Sequence, residues 1–151
     1  MKTNSQLKSK TSLRAGAASL LEVKTKQAPY PYYHLIARHS SMCMALDTVG
    51  LLNINQIPCG ALSNQKFMFL QTTFLTYIIM VLFSGEVLEE FGTSDGDTLE
   101  QKPLGGSTMQ QFDVTLVPGT CYYTLKNKGS GKCIEVVGSS MLPTADVQQV
   151  I

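Results

Sequence analysis

Apolar and polar residues alternate in short runs along most of this chain. In LNINQI, Leu52, Ile54 and Gln56 share one face; in FDVTLV, Phe112, Val114 and Leu116 share one face, with Asp113 and Thr115 opposite. A period of two over a few residues marks a half-buried strand. Turn residues interrupt the runs at Gly50, Gly60, Gly92, Ser94-Asp95-Gly96, Gly105-Gly106, Pro118-Gly119 and Gly138. Helical periodicity is almost absent, so the pattern predicts an all-β barrel or sandwich. The long apolar run from Phe74 to Phe83 is too short for a membrane-spanning helix, which needs roughly 20 residues. It is predicted to be a buried strand.

The pattern repeats. Shifted by 90 positions, Tyr32/Tyr122, Tyr33/Tyr123, Leu35/Leu125, Ser40/Ser130, Cys43/Cys133, Met44/Ile134 and Leu46/Val136 coincide without a gap. A middle copy lies between them, where Tyr77, Ile79, Gly85 and Leu88 answer Tyr33, Leu35, Ser41 and Met44. Downstream, Gln56/Gln101, Pro58/Pro103, Gly60/Gly105, Gln65/Gln110 and Phe67/Phe112 agree at an offset of 45. The third copy carries Asp146-Val147-Gln148-Gln149-Val150 at the matching place. Each unit predicts four strands: one from the Tyr pair, a second after a tight Ser-Gly turn, a third around the Gln, and a fourth around Gln-x-Phe. Repeats cover about 31–70, 74–116 and 121–151, the last without its fourth strand.

This order excludes a tempting alternative. Gly129-Ser130-Gly131-Lys132 resembles a phosphate-binding loop, but Lys126 stands where that motif has its first glycine, Cys133 where it needs a hydroxyl, and a strand-like run follows. The stretch is instead the turn between two strands of a repeat, with glycine tolerating positive φ and Lys132 solvated.

Composition narrows the picture further. Hydrophobic residues make up 44% and charged residues 15%, which fits a globular chain. Residues 1–29 carry a net charge of +5 and the remainder −4. The first 29 residues, rich in Lys, Ser and Thr, read as a flexible basic tail ahead of a domain at 30–151. Ser19-Leu20-Leu21 is too short for a signal-peptide core. The near-neutral whole gives no argument for nucleic acid.

Three copies of a four-stranded unit point to a closed three-fold arrangement. The chain resembles the ricin-B-type lectins, whose fold is the β-trefoil. The resemblance rests on Tyr-x-Leu, Ser-Gly-Lys-Cys-Ile-Glu-Val, Val-Gln-Gln and Asn64-Gln65-Lys66-Phe67, and spans about residue 30 to 151. It implies a β-trefoil of three four-stranded repeats with the last strand missing. It also implies self-association through the incomplete third repeat, because an open edge invites pairing.

The resemblance further implies a disulfide between Cys43 and Cys59. Copy two has Val87 and Leu104 at those places, both cysteines being lost together; the partner of Cys133 would fall just past Ile151, leaving Cys133 and Cys121 free. Four reduced, buried thiols are the alternative reading. A disulfide favours an extracellular setting, although no signal peptide is visible. There is no Cys-x-x-Cys, and His34 and His39 lie only loosely near one cysteine; no metal or cofactor is expected.

Such lectins take an Asp from the second strand, a Gln and an aromatic from a Gln-x-Trp segment, and an Asn before the Gln of Asn-Gln-x-Phe. Carboxylates and amides bond pairs of sugar hydroxyls, and an aromatic face covers the apolar side of the ring. Copy one offers Ala45 at the Asp place with Asp47 two residues on, Asn55, Ile57, Asn64 and Gln65. Copy two offers Glu89, Glu100, Lys102, Met109 and Gln110; copy three offers Glu135, Gln148 and Val150. The implied carbohydrate-binding set is therefore Asp47, Asn55, Asn64, Gln65, Glu89, Gln110, Glu135 and Gln148. The chain has no Trp, and the loops Thr48–Asn53, Gly92–Asp97 and Gly138–Asp146 carry no aromatic. Sites of this kind are weak and degenerate.

Catalysis finds little footing. There are two His, no Gly-x-Ser-x-Gly and no His-Glu-x-x-His. Glu89 and Glu90, adjacent on a strand, point to opposite faces and cannot act as a pair across one bond. The sequence thus predicts a non-catalytic module for glycans or glycoproteins. The alternative is a trefoil that binds protein, as inhibitor or adaptor, having lost sugar recognition.

Overall fold

A computed structural model describes residues 31–151 in full and the backbone of 21–26. The chain is all-β, with twelve strands in order: β1 Leu21–Lys26, β2 Tyr32–Ala37, β3 Cys43–Leu46, β4 Ile54–Ile57, β5 Phe67–Thr73, β6 Thr76–Val81, β7 Val87–Glu90, β8 Leu99–Lys102, β9 Phe112–Leu116, β10 Tyr123–Asn127, β11 Cys133–Val136 and β12 Val147–Val150. The first and fourth strands of the repeats build a barrel. The second and third form hairpins, β3–β4, β7–β8 and β11–β12, that cap one end.

Six strands close the barrel in the order β10-β1-β2-β5-β6-β9 and back to β10. Its closure corrects the expectation of a flexible tail across residues 1–29. Phe67 pairs with Val81 of the next repeat and Tyr33 of its own. Phe112 pairs with Asn127 and Tyr77 in the same way. Leu21 pairs with Ala37 and Tyr123. Ala37, Val81 and Asn127 are equivalent positions, as are Tyr33, Tyr77 and Tyr123. The N-terminal strand therefore occupies, in register, the place that a fourth strand of the third repeat would take. The segment LEVKTK is basic, but it alternates, and the edges of β2 and β10 offer it the backbone partners that a strand requires. β1 covers the edge on which self-association had been expected. The remainder of the proposed tail, residues 1–20 and 27–29, lies outside the described residues, as does residue 30.

Equivalent positions of the three repeats fill the core. Leu35, Ile79 and Leu125 come from the first strands; Met44, Leu88 and Ile134 from the second; Ile54, Leu99 and Val147 from the third; Phe67 and Phe112 from the fourth. Each such side chain contributes about 1.5–3 kcal/mol on burial. The run Phe74–Phe83 forms a shorter strand than expected. β6 buries Ile79 and Val81, but Phe74 and Phe83 at its flanks are exposed.

Two recurring sequence features serve the scaffold. The hairpin turns carry positive φ at Ser41, Gly85 and Gly131, and Ser40, Ser84 and Ser130 accept the N–H of Met42, Glu86 and Lys132. Lys132, expected to be solvated, is half-buried and pairs with Asp95 of the second repeat. The repeated Gln interlocks the caps cyclically. Gln56 donates to the carbonyls of Ser140 and Leu142 in the third repeat, Gln101 to that of Leu51 in the first, and Gln149 to those of Gly92 and Ser94 in the second. Ser40 and Ser84 hydroxyls hold the carbonyl ends of Gln56 and Gln101. Leaving such a buried carbonyl unpaired costs about 1–3 kcal/mol.

Cys43 and Cys59 are joined by a disulfide, while Cys121 and Cys133 are free. In the second repeat Val87 is buried but Leu104 is exposed, so the substituted pair does not pack as the bridge does.

Candidate carbohydrate site

Within each cap hairpin the register places Ala45 opposite Asn55, Glu89 opposite Glu100, and Glu135 opposite Gln148. Side chains two residues along share that face. The cap hairpins thus present three equivalent faces, built from the same strands but from different residues.

In repeat one most of the candidates are engaged by the scaffold. Asn64 donates to the Leu46 carbonyl at 2.9 Å. Gln65 accepts from the Gly60 N–H and donates to the Pro58 carbonyl. Asp47 accepts from the Val49 N–H and shapes the loop after β3. Asn55 is buried with Oδ1 lacking a hydrogen-bond partner. Ala45 supplies no acid beside it.

Repeat two assembles more chemistry. Glu89 Oε2 accepts from Gln110 Nε2 at 2.6 Å. Gln110 also donates to the Pro103 carbonyl and accepts from the N–H groups of Gly105 and Gly106. It is a saturated clamp: the loop fixes the amide, and the amide fixes the acid. Lys102 pairs with Glu100 at 3.0 Å, and the Thr98 hydroxyl lies 3.5 Å from Glu100 Oε1. The ladder continues past β7, with the Phe91 N–H donating to the Thr98 carbonyl at 3.1 Å. Alternation therefore puts Phe91 on the face of Glu89, and its ring is 68% exposed. Phe91 stands just before the aromatic-free loop Gly92–Asp97, and its two-residue spacing from Glu89 is the one signal along the chain that places it on this face.

Repeat three pairs Gln148 Nε2 with Glu135 Oε1 at 2.8 Å. Glu135 is buried, Gln148 half-buried, and Val137 stands at the position of Phe91. Burial pushes the thiol of nearby Cys133 up, against the opposing pull of Lys126. Glu90, on the inner face, has no hydrogen-bond partner for either oxygen. Its carboxyl is pushed up to about 8, first by burial and then by Asp97. Among the described residues, no group of three His, Cys, Asp or Glu could hold a metal ion, and no helix is long and apolar enough to cross a membrane.

The pattern of the ricin-type beta-trefoil lectin domain-like family matches residues 63–150. The chain belongs to this family. Among solved structures it is similar to ThreeFoil, a designed 3-fold symmetric protein, at 28% identity and a TM-score of 0.74, over 78% of this chain and 87% of that one. It is also similar to the Macrolepiota procera ricin B-like lectin solved with lactose, at 16% identity and a TM-score of 0.71, over 83% and 89% of the two chains. A third likeness, to an exo-beta-1,3-galactanase from Clostridium thermocellum, has 22% identity and a TM-score of 0.70, over 78% of this chain and 26% of that one. A search of curated proteins finds no match. The likenesses to the fungal lectin and the galactanase show the shared fold; family membership rests on the sequence pattern.

Proposed function

We propose that the protein is a non-catalytic carbohydrate-binding module with weak, degenerate sites in its second and third repeats. The observation that carries this reading is the recurrence of an acid–amide pair. In both repeats a carboxamide holds a second-strand Glu, through Gln110 on Glu89 and Gln148 on Glu135. A carboxylate fixed on one oxygen by a protein donor keeps acceptor capacity for sugar hydroxyls, and those charge-assisted bonds are the stronger kind. Repeat one lacks the pair, and its Asn64 and Gln65 are spent on backbone. Several weak sites together gain avidity on a multivalent glycan surface.

The lactose bound by the Macrolepiota procera lectin agrees with this reading. The test is a high-density glycan array. The protein is expected to bind, and Glu89→Ala with Glu135→Ala to lose binding with an unchanged all-β spectrum. No binding to any glycan by folded protein would overturn the reading. One feature favours a protein-binding module instead: the cap loops expose Val49, Met141 and Leu142, and exposed apolar residues mark contact surfaces when they cluster.

A further inference from the structure

We infer that the tip of the β5–β6 hairpin, Phe74-Leu75, is a membrane-contact point that seats the protein on an anionic phospholipid surface. Strands β1, β5 and β9 run away from the caps, and β2, β6 and β10 run back. Each pair therefore meets at the end of the barrel opposite the cap hairpins. The meeting of β5 with β6 is unlike an ordinary water-facing turn. Residues 70–75 are all exposed, and they include Leu70, Leu75 and Phe74, the last at 85%. No charged residue occurs between Lys66 and Glu86, a stretch that takes in both strands and the turn. Entry of this tip into lipid would therefore strip no charge of its water. Backbone groups need partners where water is scarce, and the hairpin supplies them. Gln71 pairs with Tyr77 and Thr73 with Thr76, and the Leu75 carbonyl accepts from the Val114 N–H at 2.8 Å.

Backbone strain points the same way. Leu75 has a φ of 63°, which a bulky side chain adopts only at a cost. The turn between β9 and β10 gives its positive φ to Gly119. Leu75 thus combines a strained backbone with an apolar side chain in water, and strain of this kind is stored at functional sites. A convex two-residue tip offers no groove to a folded partner. A fluid bilayer closes around it and takes the Phe ring and the Leu side chain into the boundary between headgroups and acyl chains. Charge selects the lipid. β1 brings Lys24 and Lys26 to this end of the barrel, opposite His34 and Tyr32. The acid of the adjoining strand, Asp113, accepts from the Thr76 hydroxyl at 2.6 Å. Lysines beside an apolar tip favour an anionic leaflet. Docking at this end leaves the cap hairpins facing water.

The chain contains no Trp, so Phe74→Trp makes the tip a single fluorescent reporter. The experiment mixes the full chain with vesicles of phosphatidylcholine and phosphatidylserine in equal parts, or of phosphatidylcholine alone, both free of glycolipid, and reads co-sedimentation. The wild type is expected to bind the anionic vesicles roughly tenfold more tightly, as two lysines near such a surface would give. Phe74→Trp is expected to shift its emission to the blue on those vesicles. The double variant Phe74→Ser with Leu75→Asn is expected to keep the all-β spectrum, since both positions are exposed and Asn tolerates positive φ. It should lose vesicle binding by roughly tenfold or more. A wild type that stays in solution with both vesicles, equal binding to the two, unshifted Trp emission, or unchanged binding by the double variant would each overturn the inference. So would a concentration-dependent dimer of the wild type that the double variant abolishes, which would make a second copy the occupant. Because the vesicles carry no sugar, failure here leaves the carbohydrate reading standing, and failure on the glycan array leaves this one.

Discussion

Repeats one and two share nearly every scaffold position and almost no site position. Both have the positive-φ turn, the buried cap Gln and the clamp Gln before the fourth strand, and the same core layers. Repeat one adds a disulfide and an Ala at the acid place, and its amides bond backbone. Repeat two has no bridge, two facing acids, an exposed ring, and a carboxyl, Glu90, at the core position held elsewhere by Leu46 and Val136. The difference shows how a three-fold fold divides labour. Positions that close the caps stay alike because each repeat grips its neighbour, whereas the outer hairpin face varies without loss of the barrel. Repeat one is stapled by a covalent bridge; repeat two has no bridge and carries a buried acid without a hydrogen-bond partner.

Glu90 provides the largest test of that contrast. Unfolded, it releases its proton near 4.5; folded, it holds the proton until about 8. Its folded pKa is raised, so the unfolded state is favoured increasingly as pH rises from 4.5 to 8, and the loss levels off above. Each pH unit in that window costs about 1.4 kcal/mol, or on the order of 5 kcal/mol in all. Urea denaturation of the wild type is expected to show this decline, and Glu90→Leu to flatten it and raise stability at neutral pH. The same slope in Glu90→Leu would show that Glu90 is not the weak point of repeat two.

The staple gives the next effect. Cys43→Ala with Cys59→Ala is expected to lower stability by roughly 3 kcal/mol, read as a lower urea midpoint under non-reducing conditions. Wild type in reductant should approach the double variant. No change would mean that repeat one is held, like repeat two, by packing alone.

The smallest effect lies in the turns. Ser41 has the positive φ that repeats two and three give to Gly85 and Gly131. Ser41→Gly is expected to stabilise by up to about 1 kcal/mol, the roughly 1–2 kcal/mol strain of a side chain in that conformation being partly offset by the greater entropy that glycine loses on folding. Gly85→Ser should destabilise by a similar amount. Thermal midpoints of the two variants moving in the same direction would contradict the equivalence of the turns.

Much of the scaffold was legible along the chain. Alternation located the strands, and the offsets of 45 and 90 located the repeats, because a period of two and a fixed interval are local properties. The Cys43–Cys59 pairing followed from the family resemblance. The roles of the repeated amides were less legible. Gln56 and Gln101 marked the repeat, but that each would grip a different repeat's loop depends on how the caps meet around the axis. Gln65 and Gln110 look alike in sequence; one bonds only backbone and the other also holds an acid, because the residue beneath is Ala45 in one case and Glu89 in the other.

The sequence by itself determined an all-β chain of three related units, the turn positions and the lectin family. Each depends on neighbouring residues or on resemblance between segments. Only the tertiary structure decided that a basic N-terminal segment becomes β1, in register between β2 and β10. A barrel edge has unpaired backbone groups that any alternating strand of suitable length can satisfy, and nothing in LEVKTK names its partner. The tertiary structure also decided that Glu90 sits without a hydrogen-bond partner while its neighbour Glu89 is clamped at the surface. Alternation separates the two side chains, but only the packing of the closed barrel says which side is the interior.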